Sequence, residues 1–334
     1  MKAALLYAPK DLRVETARDP APGAGEALVR VRAAGLCGTD FRIWTGDRPV
    51  RYPLIMGHEF IGEVAAVGPG VQNVKAGDAV AVEPNYSCGT CGLCREGSRN
   101  LCLSRTAVGI DVDGGLAELA CIPARCCWAA PAELSPEQLL LTEPLAVVVR
   151  AVNRGGVRAG ETAAVVGAGT LGLLALQVLR ARGARVLVVS RSDRRFALAR
   201  ELGAEGVHSL TAGSSAQAAR RFSGREGVDL VVETAGTPEA VEEALGLARP
   251  GGRVVLTGLP HEPSQVHFFW VVRRELTILG SMIYQDEFPE AMRLLRTGAV
   301  KVEPLVTHRF RLDAVNEAFA AHQSPASIKV AVIP

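Results

Sequence analysis

Lysine is scarce in this chain. Of its 37 basic residues only Lys2, Lys10, Lys75, Lys301 and Lys329 are lysines; the other 32 are arginines, set against 35 acidic residues for a net charge of +2. No basic run or basic heptad accompanies that balance, which excludes a surface built to track a phosphate backbone, so nucleic acid is not an expected partner. Long apolar runs are equally lacking. Near the first residue the run before Pro9 is six residues long, too short for a secretory core. The stretch 162–179 carries no charge and has nearly the length of a membrane span, but Gly167, Gly169 and Gly172 interrupt it and fit a strand, turn and helix better. No membrane association is expected. With no export signal, the eight cysteines are expected in a reducing, cytoplasmic setting, where clustered thiols mean metal more often than disulfide. Aromatic residues make up only 5% of the chain, with hydrophobic residues at 48% and charged residues at 22%, the balance of an ordinary globular protein. Neither internal repeats nor low-complexity segments are visible.

What is present divides in two. At 334 residues the chain is long for one core. Up to about residue 145 it reads as short β-branched runs (27–31, 60–67, 79–82) broken by Gly and Pro, the pattern of an antiparallel or barrel-like domain. From 146 to 285 apolar strands at 162–166, 185–189, 229–232, 253–257 and 276–279 alternate with helical patterns such as 171–181, which predicts right-handed crossovers and a parallel, doubly wound α/β sheet. The remainder, 286–334, is too small for a domain and is expected to return to the first one.

Three groups of residues carry chemistry. Cys37-Gly38-Thr39-Asp40, Gly57-His58-Glu59 and Glu143-Pro144 supply a thiolate, an imidazole and two carboxylates, the donor types of an open zinc site. Cys88, Cys91, Cys94 and Cys102, in a lobe at 84–104, supply four thiolates, enough to close a tetrahedral zinc site with no open position. Gly167-Ala168-Gly169-Thr170-Leu171-Gly172 is a GxGxxG between a strand and an apolar helix, the arrangement that lets a pyrophosphate approach the backbone. The next strand runs into Ser190-Arg191-Ser192 instead of the acid that holds the ribose 2′-hydroxyl of NAD. Arg191 suits a 2′-phosphate, so NADP is expected over NAD; the competing account is a solvated turn of Arg191, Arg194 and Arg195 with Asp193 reaching the ribose. Thr170, Leu171, Arg195, Thr234, Ala235 and Gly258 complete the expected cofactor contacts.

Taken together, these segments and their order along the whole chain resemble the zinc-containing medium-chain dehydrogenase/reductase family. Glu143-Pro144 looks like the polyol and threonine dehydrogenase branch, where vertebrate-type alcohol dehydrogenases have cysteine. The resemblance implies a GroES-like catalytic domain followed by a Rossmann domain, and two zinc ions per chain. The catalytic zinc is held by Cys37, His58 and either Glu59 or Glu143; the four-cysteine lobe is structural. It implies hydride transfer between a small secondary alcohol or polyol and the nicotinamide, giving the ketone, with Thr39 passing the alcohol proton onward. It also implies pairing of copies through the strand near 276–280, as a homodimer or homotetramer. One departure stands out: relatives often have histidine where this chain has Arg42, and arginine stays protonated. Phe41, Trp44, Phe60 and Met282-Ile283-Tyr284 are expected pocket walls. The rival readings are a zinc-independent quinone or enone reductase of the same superfamily and a non-catalytic member.

Overall fold

The computed structural model describes all 334 residues, and they divide into two compact units. The first comprises Met1–Glu143 and Val302–Pro334, the second Pro144–Lys301.

The first unit is organised on the eleven-residue strand Glu26–Leu36. In its first half Ala27, Val29 and Val31 face inward in alternation, as a half-solvated antiparallel strand requires; its last four residues are buried on both faces. That strand pairs antiparallel with three others, Glu59–Val67, Leu119–Pro123 and Lys329–Ile333, so the segment that returns from far along the chain is an inner strand of the seven-stranded sheet. Two small sheets of three and two strands complete this β-rich unit.

The second unit is a six-stranded parallel sheet. Numbering its strands in chain order, the spatial order is third, second, first, fourth, fifth, sixth, the doubly wound order that reverses direction beside its first strand and binds dinucleotides there. Every residue of that first strand, Thr162–Val166, is buried, as is the whole stretch Gly172–Leu179 of the helix Thr170–Ala181 that follows. The uncharged run is therefore core, and no helix is long and apolar enough to cross a membrane.

Two differences from the sequence reading have clear causes. The short strand Gly206–Ser209 escapes notice because all four residues are half-buried and only Val207 is strongly apolar. The domain boundary expected at 285 lies at Lys301. Helix Phe288–Arg296 buries Phe288, Ala291, Met292, Leu294 and Leu295, and three polar links hold its surroundings to the second unit: Arg150 to Glu287 at 3.2 Å, Arg182 to Glu290 at 3.2 Å, and the Lys301 N–H to Gln177 Oε1 at 2.7 Å. An amphipathic helix announces that it has a core to cover, but not which one.

Candidate active site

Cys37 is the last extended residue before helix Gly38–Thr45 and occupies its N-cap position. Asp40, in the first turn and wholly buried, accepts the Cys37 N–H through Oδ2 at 2.9 Å. Its other oxygen, Oδ1, lies 3.1 Å from Nδ1 of His58. An ionised carboxylate only accepts, so Nδ1 of His58 carries a proton, and Nε2 is the nitrogen that a metal would take once its own proton is displaced. Burial opposes charge on both groups, but pairing outweighs it: His58 is raised well above the ordinary imidazole value, chiefly by Asp40, and Asp40 is held below its own, chiefly by His58. One carboxylate thus fixes the Cys37 backbone and the His58 ring.

His58 and Glu59 follow Gly57, whose φ of +96° and 2.9 Å clearance from the Leu116 nitrogen admit no side chain. Ligand atoms of Cys37, His58 and Glu59 lie within 4.8 Å of one another, close to the reach of one ion with bonds of about 2.0–2.3 Å. Glu143, in the first turn of helix Thr142–Gly155, is buried and within electrostatic range of Lys329, but it stands outside that three-residue group.

Lys329 was not foreseen. It is 3% exposed, and its Nζ donates to Glu59 Oε2 at 2.5 Å and to the Leu36 carbonyl at 3.0 Å. Strand Glu26–Leu36 runs between the strands that carry these two residues, and Gly35 sits where they meet: a Cβ there would come within 2.9 Å of Glu59 Oε2 and 3.4 Å of Lys329 Cδ. Glycine makes the ion pair possible. Also unforeseen is His322, at the end of helix Val315–His322. Its ring lies 6.4 Å from that of Phe41, its buried Nδ1 meets no protein partner, and burial, with Lys329, lowers its pKa. Thr39 is half-buried one residue before Asp40, and Arg42 is half-buried on the same helix.

Of the expected pocket walls, Phe41 and Trp44 are half-buried, with Trp44 stacked 5.6 Å from Phe319. Phe60 and Tyr284 are core residues, each 2% exposed, and Tyr284 packs edge-on against Phe288. Cys126 and Cys127 are buried and pushed up to about 12, as inert core thiols are, and burial with Glu26 nearby pushes Cys121 up to about 11.

In the cysteine lobe the Sγ atoms of Cys88, Cys91, Cys94 and Cys102 are separated by 3.5, 3.5, 3.9 and 4.0 Å along four edges. Four thiolates about 2.3 Å from a central zinc stand about 3.8 Å apart, whereas a disulfide requires about 2.05 Å. The set fits zinc. Backbone N–H groups of Thr90 and Cys91 point at the Cys88 sulfur, and they lower it to about 6, Thr90 first, toward the thiolate a metal takes.

At the nucleotide loop Gly167 has φ +104°, and a Cβ on Gly172 would come within 1.9 Å of the Gly167 carbonyl oxygen. A Cβ on Gly169 would meet nothing nearer than Arg195 Nη1 at 3.9 Å, which leaves a cradle open above the start of helix Thr170–Ala181. Arg195 Nη1 donates to the Ala168 carbonyl at 3.0 Å, and Thr234 Oγ1 donates to the Val166 carbonyl at 2.9 Å. The second strand ends at Ser190; Arg191, Asp193 and Arg194 beyond it are all exposed.

Residues 23–132 match the alcohol dehydrogenase GroES-like domain family, and residues 170–297 match the zinc-binding dehydrogenase family. Human sorbitol dehydrogenase is 34% identical over 334 aligned residues, covering 98% of this chain and 94% of its own. The chain belongs to the zinc-containing alcohol dehydrogenases. Two solved structures place the fold in the same family. A zinc-binding dehydrogenase from Sinorhizobium meliloti 1021, bound to NADP, superimposes with a TM-score of 0.95 at 35% identity, covering 100% of this chain and 99% of that one. An alcohol dehydrogenase (rspB) from Escherichia coli CFT073, complexed with NADH, does so with 0.94 at 33%, covering 100% and 99%. This dehydrogenase is accordingly an oxidoreductase acting on CH–OH donors, built as a GroES-like domain and a Rossmann domain. Cys37, His58 and Glu59 bring together three ligand atoms that could hold a metal ion.

Proposed function

We propose that this dehydrogenase oxidises a small secondary alcohol or polyol to its ketone with NADP, using one zinc at Cys37, His58 and Glu59 and a second at the four-cysteine lobe. The observation that carries the reading is the Cys37–His58–Glu59 group, with His58 and Glu59 buried and Asp40 behind them. When bound, the zinc supplies Lewis acidity toward an alcohol oxygen and the nicotinamide accepts the hydride. The protein's part is preparation. Asp40 holds the His58 tautomer and the Cys37 backbone; Lys329 offsets the charge of Glu59 and prevents it from swinging away. Thr39 offers a hydroxyl able to accept one proton while donating another, as a relay from the substrate requires. Arg42 cannot accept a proton, so the path to solvent runs without it.

Support for NADP comes from the end of the second strand, where Ser190 and exposed Arg191 stand in place of a carboxylate. The S. meliloti relative bound to NADP fits this reading, while the rspB relative shows that the family also takes NADH. Initial rates followed at 340 nm with polyols, 2,3-diols, cyclitols and threonine are expected to be higher with NADP than with NAD. Arg191→Ala should raise KM for NADP about tenfold, the loss of one charge-assisted contact, and leave NAD unchanged. A lower dissociation constant for NADH than for NADPH overturns the cofactor assignment; no turnover with any alcohol or ketone overturns the activity.

We further infer a homodimer or homotetramer, working in a reducing cytoplasm that suits eight free thiols. Strand Thr277–Gly280 is the last of its sheet and pairs on one side only, with Ile278 exposed. Helix Phe268–Arg273 before it exposes Phe268, Phe269, Trp270 and Val272, an apolar surface that a second copy would cover. Light scattering should return at least twice the 35.2 kDa chain mass; a monomer mass at micromolar concentration removes this inference.

A further inference from the structure

Glu233 is the last residue of strand Val228–Glu233 and is wholly buried, yet no cation pairs with it. Its Oε1 accepts two short hydrogen bonds, from the Ala235 N–H at 2.6 Å and the Gly236 N–H at 2.7 Å, so the carboxyl bends the chain back over the strand end. Its Oε2 accepts no hydrogen bond and lies against Gly258, where a Cβ would come within 2.6 Å of it and within 2.3 Å of the Gly236 nitrogen. The backbone carbonyl of Glu233 meanwhile accepts from the Thr257 and Gly258 N–H groups at 3.0 and 3.2 Å. One residue therefore ties the ends of the fourth and fifth strands together, and the Thr234 N–H, donating to the Val166 carbonyl at 3.0 Å, ties both to the first.

A carboxyl is an expensive way to fill this position. A buried acid without a cation costs far more than an apolar side chain of the same size, and burial accordingly pushes Glu233 above the ordinary glutamate value. What an apolar residue cannot do is hold two N–H groups at a fixed angle. Sheet order says what that turn serves. The adenosine ribose belongs beside the end of the second strand, so the other half of a dinucleotide crossing the reversal point belongs on the side of the fourth and fifth.

We propose that Glu233 is a positioning residue for the nicotinamide half of the cofactor: its carboxyl sets the 234–236 turn and the Gly258 backbone against which that half is bound. The proposal rests on the assignment of Thr234, Ala235 and Gly258 to the cofactor site. Glu233→Asp shortens the reach by one methylene and loses at least one of the two N–H bonds; Glu233→Gln keeps an oxygen at the same reach without the charge. Dissociation constants for NADPH and NADH, read by nicotinamide fluorescence on the zinc-loaded protein, should rise about tenfold in the Asp variant and about threefold in the Gln variant. The adenosine half alone, offered as 2′,5′-ADP, should bind all three proteins within about twofold, with zinc content unchanged. Full dinucleotide affinity in the Asp variant overturns the proposal. So does a loss shared equally by 2′,5′-ADP, which marks a merely structural residue. If Glu233→Asp fails to fold, the Gln variant decides by the same comparison, an unchanged dinucleotide affinity counting against the proposal. Failure of the unmodified protein to bind either dinucleotide sinks the cofactor-site assignment and this proposal with it, and so separates the two.

Discussion

Stripped of metal, Lys329→Met should unfold at markedly lower urea than the equally stripped parent chain, with about 3–5 kcal/mol of stability lost. The estimate follows from burial. Side-chain exposure is 4% for Lys329 and 3% for Glu59, so removing the ammonium strands a carboxylate where water cannot reach it, and breaking such a pair by deleting one partner costs that much. Burial alone would lower the lysine pKa, but Glu59 and then Cys37 raise it above its ordinary value. A group raised in the folded state contributes its full stability below its unfolded pKa, about 10.4, and loses it only as the pH climbs beyond. The penalty should therefore be flat from pH 6 to 9. Adding Glu59→Gln to Lys329→Met should recover most of the loss, because the stranded charge goes with it. A single variant within about 0.5 kcal/mol of the parent, the range of an ordinary surface change, would mean that water reaches Glu59 once the ammonium is gone.

Zinc removal should have two separable effects. Elemental analysis is expected to give two zinc ions per chain, and stripping the ion at Cys37, His58 and Glu59 should lower kcat about a thousandfold, the several kcal/mol a Lewis acid contributes. Cys91→Ser should instead leave one zinc per chain and open the 88–102 segment to protease. That lobe has little else to hold it. Its helix Gly92–Arg95 buries nothing, only Asn100 is buried in the turn Arg99–Leu101, and Leu101 and Leu103 are 49% and 84% exposed. A segment with so little apolar burial is expected to need the proposed second zinc to hold its fold. Two zinc ions in Cys91→Ser would place the second ion elsewhere.

How much could be read in advance followed distance along the chain. The lobe thiols fall within fifteen residues, and the Cys37 and His58 segments each announce themselves by adjacency, so donor chemistry was visible before any coordinate. Strands Thr162–Val166 and Val228–Glu233 of the parallel sheet were visible because both faces are buried and their apolar runs are continuous. Asp40 was in view only as the last residue of the Cys37-Gly38-Thr39-Asp40 segment; nothing in that segment says that its carboxylate grips an imidazole eighteen positions later. Lys329 was further out of reach, 270 residues from Glu59 and separated from it by a strand whose only contribution is the missing side chain of Gly35. Glu59 and Glu143 were equivalent as donors in sequence, and only three dimensions put one of them beside Cys37 and His58. Glu233 lies one residue beyond the apolar run 229–232 and carried no signal of its own. Its meaning lies in two N–H groups whose directions depend on a turn that composition does not encode.

The ion pair across Gly35 also sets an order of events during synthesis. Glu59 leaves the ribosome 270 residues ahead of Lys329, which at about 5–20 residues per second is a wait of roughly fifteen to fifty seconds. Through that interval the nascent first sheet lacks both its inner strand Lys329–Ile333 and the only buried ammonium that pairs with Glu59. Cys37, His58 and Glu59 spend that interval without the ion pair that fixes Glu59. A newborn chain that has already finished its parallel sheet still waits for Lys329 to complete that pair.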